Sequence, residues 1–330
     1  MSLSTGDKAI LYRELAKLVG ADFHLDRAVT LMLGQNPPAA RRDFLTGLER
    51  GLARGAGIAS ALEVENAALV SGLERSLVKA GEQSGRLGES FAHLAKYFAA
   101  LAAGAKQARG TMLYPLVLAH LGILLPELPQ ALSSGDWSGA IPRVLVAVSA
   151  LWLVLFLFWW AWKNLTESAV RSAVADRLLG RIPLLGKVRQ HWALARFSQV
   201  SHAGLLAAMR LSEVTRMAGE ASQSGRLLHA AQTAAPRIES GGRLAESLRA
   251  TQTFPRAFVD GIATAEEAGT LDQEMQRWAD LETEEATEAT ARAAEWLPRL
   301  FYAVVALYII CRIVTMFFGI YGEAFKMLDG

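Results

Sequence analysis

The sequence predicts an all-α, polytopic membrane protein with two repeated cytoplasmic helical-bundle domains and three transmembrane helices. Three observations predict it: apolar stretches of bilayer length, helical rather than alternating spacing of apolar residues elsewhere, and two motifs that recur in the same order at nearly the same separation. Composition agrees. Of 330 residues 52% are apolar and only 20% charged, and Trp152, Trp159, Trp160 and Trp162 crowd into one segment. That balance belongs to chains that live in a bilayer. The 34 basic and 32 acidic residues leave a net charge of +2, so no field gathers nucleic acid.

Residues 1–110 read as the first helical domain. Leu11, Leu15 and Leu18 share one helix face, and Phe91, Leu94, Ala95, Phe98, Leu101 and Ala102 line another. The opening residues lack the apolar run of a secretory signal, and Arg13, Glu14 and Lys17 follow. This predicts a cytoplasmic start.

A membrane hairpin is expected over 111–163, with spans at about 111–132 and 143–163. A crossing helix needs about 20 apolar residues. Residues 144–162 carry no charge and end in an aromatic cluster suited to the interface. The 111–132 segment holds Pro115, His120, Pro126, Glu127 and Pro129, which shorten its clean stretch and predict a broken far end. Lys96, Lys106 and Arg109 precede the hairpin; Lys163, Arg171, Arg177, Arg181, Lys187 and Arg189 follow it. By the positive-inside rule those flanks face the cytoplasm, and the loop at 133–142 faces the other side.

The second helical domain is expected over 164–297. A third span, within 298–330, covers about 300–321 and contains Arg312, with a short tail left outside. A charge near the middle of a span needs a protein partner. At 1.5 Å per residue Arg312 lies about 18 Å along its helix from Leu300, and Glu127 about 24 Å from Thr111. An Arg312–Glu127 contact is therefore expected.

The repeat is visible in two places. Gly55-Ala-Gly-Ile-Ala-Ser-Ala-Leu62 matches Gly241-Gly-Arg-Leu-Ala-Glu-Ser-Leu248, and Gly81-Glu-Gln-Ser-Gly-Arg-Leu87 matches Ala265-Glu-Glu-Ala-Gly-Thr-Leu271. Phe91 and Leu94 then correspond to Met275 and Trp278, so the apolar face continues in phase. The second motif reads as a corner between helices. Gly85 and Gly269 suit the left-handed turn that ends one helix, and Leu87 and Leu271 open the next, with Thr270 and Gln273 at capping-box spacing. Glu82 and Glu266 fall in the last turn before each corner, where the helix dipole disfavours a carboxylate. The cost is expected to be offset locally, by N–H groups opening the following helix or by Arg86. The alternative is a contact surface for a partner, with or without an oxygen-seeking cation, and with Glu267 beside it.

Tandem helical domains with a Gly-Glu-x-Ser/Thr-Gly-x-Leu corner, split by a membrane hairpin and followed by a last span, resemble the type II secretion F protein and PilC family. The second copy carries the likeness best, in Gly242-Arg-Leu-Ala-Glu-Ser-Leu248, Phe254-Pro255 and Glu266-Glu-Ala-Gly269; Tyr114-Pro115 is similar too. The first copy has Ala67-Ala-Leu-Val70 in place of a Phe-Pro pair, and Ala265 stands where the family has glycine. The resemblance implies a platform in the bacterial inner membrane, N-terminus cytoplasmic and C-terminus outside. Its implied partners are a cytoplasmic assembly ATPase, pilins or pseudopilins, other inner-membrane components of the machine, and further copies of itself.

The residues themselves suggest no enzyme and no cofactor. No Gly-x4-Gly-Lys-Ser/Thr phosphate loop, His-Glu-x-x-His set or Gly-x-Ser-x-Gly elbow occurs. The single cysteine, Cys311, excludes an internal disulfide or a thiolate metal cage. Glu282, Glu284, Glu285 and Glu288 read as a solvated helix face or a docking surface for a basic partner. The competing reading is a small oligomeric transporter or channel, because His120, Glu127 and Arg312 are polar groups in apolar segments.

Overall fold

A computed structural model describes residues 3–128, 132 and 137–328, with backbone alone at 108, 111, 112, 297, 316 and 319–328. Every element in them is a helix. In chain order these are α1 (Thr5–Gly20), α2 (Leu25–Gly34), α3 (Ala39–Ala53), α4 (Ile58–Glu65), α5 (Gly72–Ser84) and α6 (Leu87–Leu124). Then follow α7 (Trp137–Arg171), α8 (Ala173–Gly180), α9 (Leu185–Leu206), α10 (Leu211–Ala221), α11 (Gly225–Glu239), α12 (Leu244–Arg249), α13 (Arg256–Ala268) and α14 (Leu271–Leu328).

The starts of these helices keep the register of the repeated motifs. α10, α11 and α12 begin 186 residues after α2, α3 and α4 (25 to 211, 39 to 225, 58 to 244), and α13 and α14 begin 184 after α5 and α6 (72 to 256, 87 to 271).

The chain divides into two compact units. The first takes residues up to 103 together with 165–290. Both halves contribute to one apolar core, in which Tyr12, Phe44 and Phe91 belong to the same cluster as Phe197, Phe258 and Met275. α5 packs on α9 and α10, and Tyr97 meets Trp192 edge to face at 4.9 Å. Amphipathic helices this short are marginal alone and take their stability from such packing. Arg196 is buried at the same seam and donates to the Tyr97 hydroxyl at 2.9 Å.

The second unit takes residues 104–164 and those from 291 onward. Two helices here are long and apolar enough to cross a membrane: α7, with a mean hydropathy of 2.4 in its best window, and the Leu271–Thr315 part of α14, with 1.8. The apolar part of α6, Leu113–Leu124, is shorter. It rises only about 18 Å, against a hydrocarbon core of about 30 Å. Pro115 lies inside α6 without ending it. The helix stops at Leu124, before Pro126, whose ring disfavours helical geometry at Leu125. Residues 129–131 and 133–136 lie outside the described residues, and with them the first four positions of the expected 133–142 loop; residues 137–142 already belong to α7. α14 runs past the expected end of the third span to Leu328.

Candidate functional site

The two corners are built alike. α5 ends in Gly85 at φ +70° and α13 in Gly269 at φ +70°, a left-handed geometry that costs glycine little. In the first copy the Arg86 N–H donates to the Gly81 carbonyl at 2.8 Å, and in the second the Thr270 N–H donates to the Ala265 carbonyl at 2.9 Å. Both satisfy carbonyls left open by the helix end. Leu87 and Leu271, which open the next helices, pack partly buried against the core.

The carboxylates go somewhere the sequence reading did not place them. Glu82 accepts from the backbone N–H of Ile58 at 2.7 Å and of Ala59 at 3.2 Å. Glu266 accepts from Leu244 at 2.7 Å and Ala245 at 3.1 Å. Each corner glutamate therefore plugs the N-terminus of the short helix that opens the first repeated motif, α4 or α12, rather than the helix that follows it. Neither α4 nor α12 has a side-chain hydrogen bond from its own N-cap residue, Gly57 or Arg243. The glutamate supplies the missing cap from a distance. Free N–H groups and the positive end of the dipole offset its unfavourable place at the end of its own helix.

The surroundings of the two clamps differ. In the second, Arg243 lies 3.7 Å from Glu266 and donates to Glu267 at 3.1 Å. In the first, Arg86 sits 3.6 Å from Glu89 instead of Glu82. A Cβ at Gly57 would overlap Glu82 Oε1. Both oxygens of each clamp carboxylate are taken by N–H donors at a positive helix end, so neither suits a cation. Among the described residues no three His, Cys, Asp or Glu side chains converge on a common point.

In the second unit Arg312 Nη2 donates to Glu127 Oε1 at 2.5 Å, the contact expected from the rise of the two helices. Arg143 joins them, its Nε 3.4 Å from Glu127 Oε2. His120 Nδ1 lies 2.8 Å from the Leu116 carbonyl, and its ring is 6.1 Å from Trp152.

Comparison with known proteins decides what kind of chain this is. The profile of the family described as type II secretion system (T2SS), protein F, matches twice, over residues 11–126 and 202–319. Together these segments cover more than half of the sequence. The chain belongs to this family. Similar curated proteins include a type II secretion system protein F of Aeromonas hydrophila, 27% identical over 94% of this chain and 85% of the relative. A type 4 fimbrial assembly protein PilC of Pseudomonas putida is 28% identical over 96% and 83%. A type IV pilus assembly protein PilC of Thermus thermophilus is 26% identical, again over 96% and 83%. Each of the two matched segments contains one clamp.

Two groups, and the burial of a third, escaped the sequence reading. Glu74, fully buried, accepts from the Tyr12 hydroxyl at 2.6 Å, from Lys8 Nζ at 2.7 and 2.9 Å, and from the Ser71 N–H at 2.7 Å. Burial first, then the charge and hydrogen bond of Glu74, push the Tyr12 phenol well above its ordinary pKa. The Ser71-x-x-Glu74 spacing of a capping box was the available signal. Asp176, also buried, accepts from Arg189 at 2.9 Å, from the Ser224 hydroxyl and from the Arg226 N–H at 3.3 Å. Glu282 is buried and lies 2.8 Å from His191 Nδ1, so the acidic run is not a uniformly solvated face. The partners of Asp176 and Glu282 are far along the chain and leave no local signature.

Proposed function

We propose that this chain is the inner-membrane platform of a type II secretion or type IV pilus-like machine. The observation that carries it is the double match to the family, each match spanning one helical array, its clamp and an apolar helix. Relatives named for secretion and for pilus assembly are about equally similar, so the shared role is the scaffold rather than either filament.

In this reading residues 1–110 and 164–297 face the cytoplasm and bind the assembly ATPase. The spans at about 111–132, 143–163 and 300–321 contact pilins or pseudopilins and other inner-membrane components. The N-terminus is cytoplasmic, the C-terminus is outside, and copies of the chain assemble together. The halves descend from one duplicated unit, which the helix spacing of 184 to 186 residues supports. The corner residues Gly81, Glu82, Gly85 and Leu87, and Glu266, Glu267, Gly269 and Leu271, are structural clamps that hold the binding surfaces in shape. The chain moves force rather than catalysing a reaction. The polar groups that suggested a transporter have protein partners: Arg312 and Glu127 each other, His120 a backbone carbonyl.

Affinity purification of the full chain from membranes, with identification of the proteins retained, tests this. An assembly ATPase and filament subunits are expected. A solute-dependent current or flux from the purified protein, with neither partner retained, contradicts it.

A further inference from the structure

The described charges around Glu127 are unequal. Among the described residues around Glu127 there are two guanidiniums, Arg143 and Arg312, against one carboxylate. Glu127 is largely buried, and Arg312 Nε is a buried donor, as Glu127 Oε2 is a buried acceptor, without a hydrogen-bond partner. Arg143 is half-exposed. Between them lies a cavity of about 270 Å³, lined by Glu127, Arg143, Arg312 and Tyr308 and walled by Ile123, Val144 and Ala147. Arg143 immediately precedes the uncharged run 144–162, so the cluster sits where that run meets its polar flank. Leu145 and Val146, next along α7, are exposed.

An unneutralised guanidinium is costly beside hydrocarbon. A planar fork of N–H donors next to it matches a phosphate better than any other common anion of the bilayer. Basic pockets between spans bind anionic lipid headgroups in other membrane proteins, there on the cytoplasmic side.

We propose that Arg143 and Arg312, bridged by Glu127, form a headgroup site for an anionic phospholipid. The phosphate accepts from the half-exposed Arg143 and from the exposed N–H groups of Arg312, and the acyl chains lie along the exposed apolar residues of α7. Glu127 holds the two arginines in place and, by its charge, keeps the site from binding a phosphate too tightly to exchange. This rests on the membrane reading of the second unit.

The test uses the full chain in nanodiscs of phosphatidylcholine doped with phosphatidylglycerol, with retained lipid counted by native mass spectrometry after mild detergent stripping. Phosphatidylglycerol should outlast phosphatidylcholine. Arg143→Gln should weaken that preference by about tenfold, the worth of one charged hydrogen bond, about 1.4 kcal/mol. Glu127→Gln should strengthen it, an opposite sign that a general loss of folding cannot produce. Equal retention of the two lipids, or an Arg143→Gln protein that keeps the full preference, overturns the site. So does a stoichiometric polypeptide whose removal is needed before lipid can bind, because the arginines then serve a carboxylate on a partner helix. If the protein extracts from membranes without detergent, the membrane reading itself has failed.

Discussion

The two copies of the clamp hold the same helix in the same way, yet start the helix that carries the glutamate by opposite chemistry. In the first copy Ser71 and Glu74 form a capping box, and Glu74 is buried on Lys8 and Tyr12. In the second the equivalent position, 184 residues on, is Phe258, and α13 starts at Phe254-Pro255. Phe258 stacks on Phe254 at 5.4 Å and meets Phe197 and Trp278 edge to face. A buried ion pair and a buried aromatic cluster thus occupy equivalent places. The missing Phe-Pro pair of the first copy is a substitution of one way of starting a helix for another. The conserved demand is the fixed end of α5 or α13, where the clamp glutamate sits.

The largest expected effect breaks the polar version. Glu74→Ala leaves the Tyr12 hydroxyl buried without its acceptor and the Lys8 ammonium with the Leu69 carbonyl but no counter-charge, and should destabilise the first unit by about 3–5 kcal/mol. Phe258→Ala removes a ring and leaves a cavity, at a similar cost of about 3–5 kcal/mol. The two differ in the remedy. Glu74→Ala should be largely rescued by Lys8→Met, whereas no change of charge rescues Phe258→Ala. Thermal unfolding of the full chain in detergent checks this, and a Glu74→Ala protein as stable as the parent contradicts it.

A smaller effect sharpens the contrast at the helix that is clamped. Gly57→Ala forces a Cβ onto Glu82 Oε1 and should cost about 1–3 kcal/mol by overpacking. Arg243→Ala removes only half-exposed ion pairs to Glu266 and Glu267, each worth about 0–1 kcal/mol. Equal losses at the two positions, measured by denaturant unfolding, show that the clamps do not differ as described.

The smallest effect is alkaline. The folded state raises the Tyr12 pKa above that of the unfolded chain, so the phenol's contribution is complete below about pH 10, the ordinary tyrosine value, and is lost as pH climbs toward the folded value. Unfolding followed between pH 9 and roughly 11 should show a decline that is shallower in Tyr12→Phe. The second copy, with Phe258 in place of the polar cluster, contributes no such slope.

Much of this was legible in the sequence, and the rest was unreadable for identifiable reasons. Gly85, Gly269 and the starts at Leu87 and Leu271 are local backbone demands, so residue type and spacing announce them. The Arg312–Glu127 contact followed from helix rise and the cost of a charge in an apolar segment. The clamp donors did not follow, because Ile58 and Glu82 are brought together by how α4 folds back on α5, not by anything near either residue. Lys8 and Glu74 are 66 positions apart. The joining of both halves in one core, through Tyr97, Trp192 and Arg196, depends on faces whose partners no periodicity names. The broken far end of the first apolar segment followed from its prolines, and the helix does end at Leu124, before Pro126.

The central claim is that Glu82 and Glu266 are equivalent caps, each serving one distant helix. Hydrogen exchange of the backbone amides at Ile58, Ala59, Leu244 and Ala245, in the full chain and in the Glu82→Gln and Glu266→Gln proteins, tests it most directly. Glu82→Gln should speed exchange at Ile58 and Ala59 while Leu244 and Ala245 stay protected, and Glu266→Gln should do the reverse. Unchanged protection at the matching pair in either variant, or loss at both pairs from one substitution, would contradict the account.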